Sequence, residues 1–204
     1  GMVARTARFG HHEYDSTWYH LEHLLGWTVI FDHAADPALR EDARRMLDLL
    51  ALDMALEYFH GALAGGHSRE GYRMNTLTRL GPVIPLQYLY FGGEEFQPAV
   101  HVHPWAAIPL ESAYRSPAVL ADIAWDYARP HAVKKTKAPR TVYRHADRDA
   151  GAVCKYTWRS RSFALGTTQL GLAGTAAGPI DLTSWDLSWN APAQQGKIVC
   201  NHPY

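Results

Sequence analysis

The sequence has no net charge to offer: twenty Lys and Arg residues are matched by twenty Asp and Glu. Proteins that hold nucleic acid or an anionic membrane through their overall field carry a basic excess, so neither partner is expected. No apolar run approaches the roughly 20 residues that span a bilayer. The start, Gly1-Met2-Val3-Ala4-Arg5, lacks the apolar centre of a signal peptide and does not support export. Gly1 ahead of Met2 reads as a residue left by an expression tag, which would also conceal a native leader. Cysteine is scarce. Cys154 and Cys200 are too few for a disulfide scaffold and lack metal-finger spacing. They read as small buried side chains, bridged only if their strands are neighbours. A glycine-rich phosphate loop, a GxSxG elbow and a local Cys–His nucleophile are also missing, which argues against nucleotide-dependent chemistry and serine hydrolysis.

What is abundant is rings. Seven tryptophans, eleven tyrosines and twelve histidines supply flat faces and hydrogen-bonding edges that suit sugars, although they fill ordinary cores equally well. At 204 residues the chain makes one large domain or two small ones with a real core. Its strongest pattern is a long amphipathic helix from Asp36. Asp36 suits the N-cap, Pro37 the first helical position, and Glu41 and Asp42 the early turns. Leu39, Ala43, Met46, Leu47, Leu50, Met54 and Tyr58 recur at steps of three and four and paint one apolar stripe. Gly65-Gly66 would stop this helix by accepting the left-handed conformation. A preceding helix, capped by Asp15 or Ser16, runs to Phe31 with Trp18, Leu21, Leu24, Leu25 and Val29 on its apolar side, so residues 15–63 predict a helical hairpin.

Further along, Leu86–Phe91 is a short apolar segment, His101–Trp105 an extended loop, and Ser116-Pro117 the start of another helix that Pro130 ends. The composition then shifts. Lys134–Arg140 reads as a basic, solvated linker, and beyond it the period changes from helical to alternating. Val153–Trp158, Ser162–Thr168, Trp185–Trp189 and Ile198–Cys200 predict antiparallel strands. The expected class is α+β: a helical domain over 1–130, a linker over 131–140 and an antiparallel β domain over 141–204. A strand so near the last residue suggests a fragment whose sheet continues.

Candidate chemistry lies in four places. Glu13, Asp15 and Tyr19, with His11 and His12, stand at the entry to the first helix, where a carboxylate is held charged and could act as a base or accept sugar hydroxyls; the plainer role for Asp15 is a cap. His67, Arg69, Glu70 and Tyr72 follow the diglycine. A histidine and a tyrosine can abstract and return a proton near neutral pH, and an arginine can clamp a carboxylate, a set suited to β-elimination on a uronic acid. The alternative is a solvated loop after a capped helix. His101 and His103, at i, i+2 in an extended segment, point to opposite faces and do not chelate without a bend. His20 and His23 share a helix face, but no HExxH pattern accompanies them; no cofactor is expected, with a divalent metal left open.

Several of these stretches together resemble a family. Glu13-x-x-Ser16-x-x-Tyr19, the Asp36-Pro37 helix leading to Gly65-Gly66-His67-Ser68-Arg69-Glu70-Gly71-Tyr72, and the Ser116-Pro117 helix before an antiparallel sheet resemble bacterial (α/α)-toroid proteins. These are the six-hairpin glycosidases and heparinase II/III-like polysaccharide lyases. The strand pair around Lys155-Tyr156-Thr157-Trp158 and Phe163-Ala164-Leu165-Gly166, and Asn201-His202-Pro203, look like the sheet that follows the toroid. A complete toroid needs about twice this helical content, so the resemblance implies the last part of a helical domain and the opening strands of a β-sandwich. It also implies a Tyr/His acid–base pair and an Asn, Arg or Glu that neutralises the uronate. The matching positions are Tyr72 or Tyr19, His67, Arg69 and Asn75. On this reading Trp18, Asn75, Trp105 and His103 would contact the glycan, and the partner is a carbohydrate. A hydrolase would need two carboxylates, for which Glu13 and Glu70 are the pair. A non-catalytic carbohydrate-binding remnant of the scaffold is the remaining alternative.

Overall fold

Asp36 begins the longest helix as its chemistry predicts: its Oδ1 accepts the Ala38 N–H at 2.9 Å, and Pro37 fills the first helical position. The computed structural model describes residues 2–9, 11, 15–67, 81–93, 104–137, 153–170, 183–190 and 196–201. In it α1 (Met2–Phe9) precedes α2 (Tyr19–His33), and residues 34–36 turn the chain into α3 (Pro37–Glu57). Ser16 caps α2, its Oγ accepting the Tyr19 N–H at 2.9 Å and the Trp18 N–H at 3.3 Å. Asp15 does not cap. It is buried in a left-handed conformation, φ +52°, and turns toward the sheet.

Leu21, Leu24 and Trp27 of α2 pack on Ala43, Met46, Leu47, Leu50 and Met54 of α3, as the stripe predicts. Leu39 and Val29 are exceptions: both stand near the connecting end of the hairpin and are exposed. The cluster is completed by Leu86, Tyr90 and Phe91 of α4 (Ile84–Phe91) and by Leu120 and Ala124 of α6 (Ala118–Ala124). Each fully buried large side chain contributes about 1.5–3 kcal/mol over its exposed state. Between α4 and α6 lie a 3-10 turn, Pro104–Ala106, and the short α5 (Ala107–Glu111). At α6, Pro117 is itself the cap position and Ser116 makes no capping bond.

The diglycine does not end α3. The helix stops at Glu57, and the chain makes a hairpin of β1 (Tyr58–Phe59) and β2 (Ala62–Leu63). Its central residues, His60 and Gly61, have φ of +47° and +87°, the pair of left-handed residues that matches strand twist in a two-residue hairpin turn. Gly65 and Gly66 instead lie flat on the sheet. A methyl group on Gly66 would sit 2.0 Å from Thr168 Oγ1, and one on Gly166 would sit 2.2 Å from Gly65 Cα.

The sheet is an antiparallel meander of β3 (His131–Lys137), β4 (Val153–Arg159), β5 (Phe163–Leu170), β6 (Thr183–Trp189) and β7 (Gly196–Asn201). The protein is therefore mixed α+β. The stretch expected to be a linker is strand over His131–Lys137, because its lysines alternate: Lys134 faces out and Lys135 is buried. The cysteines are exposed rather than buried, and free. Their strands, β4 and β7, are separated by β5 and β6, about 14 Å at ordinary strand spacing, which no disulfide bridges.

Register aligns three rows on the face toward the helices. They are His131–Arg159–Ala164–Ser188–Lys197, then Val133–Thr157–Gly166–Asp186–Val199, then Lys135–Lys155–Thr168. The opposite face carries Ala132–Trp158–Leu165–Leu187–Ile198 and Lys134–Tyr156–Thr167–Trp185–Cys200. The usual polarity of a one-sided sheet is inverted, with charge toward the helices and rings toward solvent.

Two glycine substitutions test this packing. Gly166→Ala, pressed against Gly65, is expected to destabilise by about 1–3 kcal/mol. Gly26→Ala on α2 meets nothing within 4 Å and is expected to stabilise by about 0.5–1 kcal/mol. Urea midpoints in the reverse order would contradict the close approach of residues 65–66 to the sheet.

Candidate functional site

Among the described residues four cations project from the inner face of the sheet: Lys135, Lys155, Arg159 and Lys197. The carboxylates of Asp15, Asp53, Glu57 and Asp186 meet the three lysines. Asp53 and Glu57 lie one turn apart on the last stretch of α3, so the helix delivers two carboxylates and its negative dipole end to the same place. Lys135 Nζ is 2.9 Å from Glu57 Oε1 and 3.5 Å from both Asp15 Oδ2 and Asp53 Oδ1. Lys155 donates to Asp15 and stands 3.5 Å from Glu57 Oε1, whose other oxygen accepts the Thr157 hydroxyl at 2.8 Å. Burial alone would lower the Lys135 pKa, but the surrounding carboxylates of Asp15, Glu57 and Asp53 outweigh it and raise the value, keeping the ammonium charged.

Arg159 is buried, and among the described residues no carboxylate is in contact with it. Its Nη1 donates to the carbonyls of Ala55 at 3.0 Å and Tyr58 at 2.6 Å, and its Nη2 to Ile123 O at 2.9 Å. One guanidinium thus closes the C-terminal ends of both α3 and α6. Its Nη2 also donates to His131 Nε2 at 3.1 Å, while His131 Nδ1 donates to Arg129 O at 3.2 Å. Burial lowers the pKa of Arg159, but a guanidinium remains charged in a protein interior.

Beside this cluster stands His67. Its main chain bridges β6, with the Thr183 N–H donating to His67 O at 2.8 Å, and the Gly65 N–H donates to Asp186 Oδ1 at 2.7 Å. The imidazole Nδ1 is 3.0 Å from Gly65 O. A carbonyl only accepts, so Nδ1 carries the proton and Nε2 keeps its lone pair. That nitrogen is buried and has no hydrogen-bond partner among the described residues. Desolvation, helped by the nearby Lys197 ammonium, lowers the His67 pKa to about 4, with Asp186 and the Gly65 hydrogen bond opposing. The ring is a neutral base, oriented through one nitrogen and open at the other.

Of the residues that sequence nominated, His67 and Asp15 are placed in this junction, Asp15 as the partner of Lys155 and Lys135. Tyr19 opens α2 and is half-buried. Trp18 precedes it, and its indole Nε1 donates to Glu22 Oε1 at 3.2 Å. Trp105 is 47 % exposed on the 3-10 turn. Glu13, Arg69, Glu70, Tyr72, Asn75, His101 and His103 lie outside the described residues. His20 does not pair with His23 as a chelate: its Nε2 bonds to Leu50 O at 3.0 Å, and His23 stacks on His11 with ring centres 3.9 Å apart. Among the described residues no group of three or more His, Cys, Asp or Glu could hold a metal ion.

Sequence reading missed Asp53, Glu57, Lys135, Lys155, Arg159, Asp186 and Lys197. Their common signal was parity. Lys155, Thr157 and Arg159 share one face of β4, and Asp186 and Ser188 one face of β6. With the aromatic residues on the other parity, the polar set reads as solvated. No protein-family model matches the sequence, and no curated protein or solved structure is significantly similar to it.

Two measurements probe this junction. Lys155→Met removes the nearer ammonium from the buried Asp15 carboxylate and leaves Lys135 at 3.5 Å, so a loss of about 1.5–3 kcal/mol is expected by chemical denaturation; a loss below about 1 kcal/mol would mean the pair is solvated. For His67, both states are neutral above the ordinary pKa of 6.5, so stability is full there. As pH falls, the unfolded chain takes up a proton that the folded ring refuses until about pH 4. Stability therefore drops through that window, by about 3 kcal/mol in all. In His67→Gln that part of the acid slope disappears, and an unchanged slope would show that the ring titrates freely.

Proposed function

We propose that this is a carbohydrate-active protein of (α/α)-toroid type and, most concretely, a lyase that cleaves an acidic, uronate-containing polysaccharide by β-elimination. The observation that carries the reading is His67: a neutral imidazole, tethered through Nδ1–H to Gly65 O, with an Nε2 that has no partner among the described residues and a ring within the field of the Lys197 ammonium. β-Elimination needs such a base. Nε2 takes the proton alpha to the uronate carboxyl, the freed electron pair forms the ring double bond, and the glycosidic oxygen leaves and is reprotonated. A cation near the carboxylate stabilises the negative charge that builds up between these steps. Arg69 and Tyr72 are the residues proposed to clamp the carboxylate and to return the proton. The helical hairpin followed by an antiparallel sheet supports the finer reading of toroid and sandwich, and Trp18, Trp105, Asn75 and His103 are retained as candidate glycan contacts.

The six-hairpin hydrolase is less well supported. It rests on Glu13 and Glu70, which lie outside the described residues, while the carboxylates placed around the junction, Asp15, Asp53, Glu57 and Asp186, are all engaged by lysine ammonium groups. A non-catalytic scaffold is favoured by one fact, that the His67 ring is 1 % exposed and must become accessible before it can act.

An absorbance assay for unsaturated uronate on polygalacturonate, alginate, hyaluronan and heparin separates the two. The lyase reading expects product from at least one polymer and a loss of about 100- to 10,000-fold in His67→Ala. No product from any of them, or full activity in that variant, would remove the elimination.

A further inference from the structure

The outer face of the sheet carries a groove that is separate from His67. About 440 Å³ in volume, it is lined by Lys134, Thr136, Cys154, Tyr156, Thr167 and Gln169 across β3, β4 and β5. That is within the size range of small-ligand sites. The side chains of Lys135 and Lys155, which border its floor, go to the opposite face, so the ammonium available to a ligand here is that of Lys134. It lies 6.0 Å from the centre of the Tyr156 ring.

Register extends the groove into a line. Lys134, Tyr156, Thr167 and Trp185 are consecutive partners across four strands. Tyr156 and Trp185 are each more than a third exposed. One strand, β5, separates them, so they stand two strand spacings or about 10 Å apart, and an extended chain crossing the strands meets one ring and then the other. Thr136, Thr167 and Gln169 place hydroxyls and an amide along the same path. No carboxylate stands on this face among the described residues. A flat ring alone accepts any apolar surface, and a lone lysine accepts any anion. Rings in series, short neutral hydrogen-bonding groups and one uncompensated cation together match a polymer that is flat, hydroxylated and negatively charged.

We infer that this row is a binding site for an acidic glycan, with Tyr156 and Trp185 stacking on sugar rings and Lys134 pairing with a uronate carboxylate. It does not depend on chemistry at His67. The test is calorimetric titration of short oligogalacturonates, with cello-oligosaccharides of matched length as the neutral comparison, in the wild-type chain and in His67→Gln so that turnover cannot consume the ligand. Both proteins are expected to bind the acidic oligomer. Lys134→Glu and Tyr156→Ala, both surface changes checked by unchanged unfolding midpoints, are each expected to weaken it about tenfold or more. In a second readout, saturating oligogalacturonate, unlike the matched cello-oligosaccharide, slows alkylation of Cys154, which lines the groove. The inference is overturned if the wild-type chain does not bind, if it binds the neutral oligomer equally well, if both variants keep wild-type affinity, or if Cys154 is not protected.

Discussion

A sheet that turns four cations toward its helices can be buried only against a surface that answers each of them. That surface is the fifteen-residue span from Asp53, at the C-terminal end of α3, to His67, together with Asp15 in front of α2. Lys135 and Lys155 meet Asp15, Asp53 and Glu57, Lys197 meets Asp186, and Arg159 meets the carbonyls that a helix end leaves unpaired. Each of these groups would cost several kcal/mol to bury alone. Together they cancel, with four positive side chains against four negative ones.

This matching restricts how the two layers meet. An apolar interface tolerates small slips, because one methyl contact resembles another. A guanidinium bonded to Ala55 O, Tyr58 O and Ile123 O does not, since a shift of one residue strands all three carbonyls. The glycines add a steric constraint. Gly65 and Gly66 let the main chain lie on Gly166 and Thr168, which carries the Gly65 N–H to Asp186 and the His67 backbone to Thr183. The position of His67 thus follows from the charge pairing of the sheet. Chemistry at His67 and integrity of the junction are two readouts of one arrangement.

The helices were legible because their signals are local. Asp36-Pro37 and the three-four stripe through Met46, Leu50 and Met54 depend on nothing far away, and four of the strands announced themselves by alternation. The interface was not legible, since parity says only that two faces differ. With Trp185, Leu187 and Trp189 on one side of β6 and Asp186 and Ser188 on the other, the ordinary expectation buries the rings. Only partners distant in the chain, such as Asp15 for Lys155 and Glu57 for Lys135, reverse it. The same blindness turned His131–Lys137 into a linker and Gly65-Gly66 into a helix stop. Within the nominated turn, His67 was legible as a titratable group after a diglycine, but its burial, its tautomer and its neighbour Lys197 were not.

The inverted sheet also gives the two proposals a common origin. Charge drawn inward to meet α3 leaves Tyr156 and Trp185 outside on the opposite parity, so the same alternation that builds the junction also builds the exposed aromatic row. All of this rests on the inward charges being coupled to the helix end rather than merely close to it. The most direct measurement is a double-mutant cycle between Glu57 and Lys135, with Glu57→Gln, Lys135→Met and the pair compared by chemical denaturation. The charge-matched junction predicts a coupling of about 1–3 kcal/mol, the double variant being more stable than the sum of the singles implies. Additive losses would contradict it.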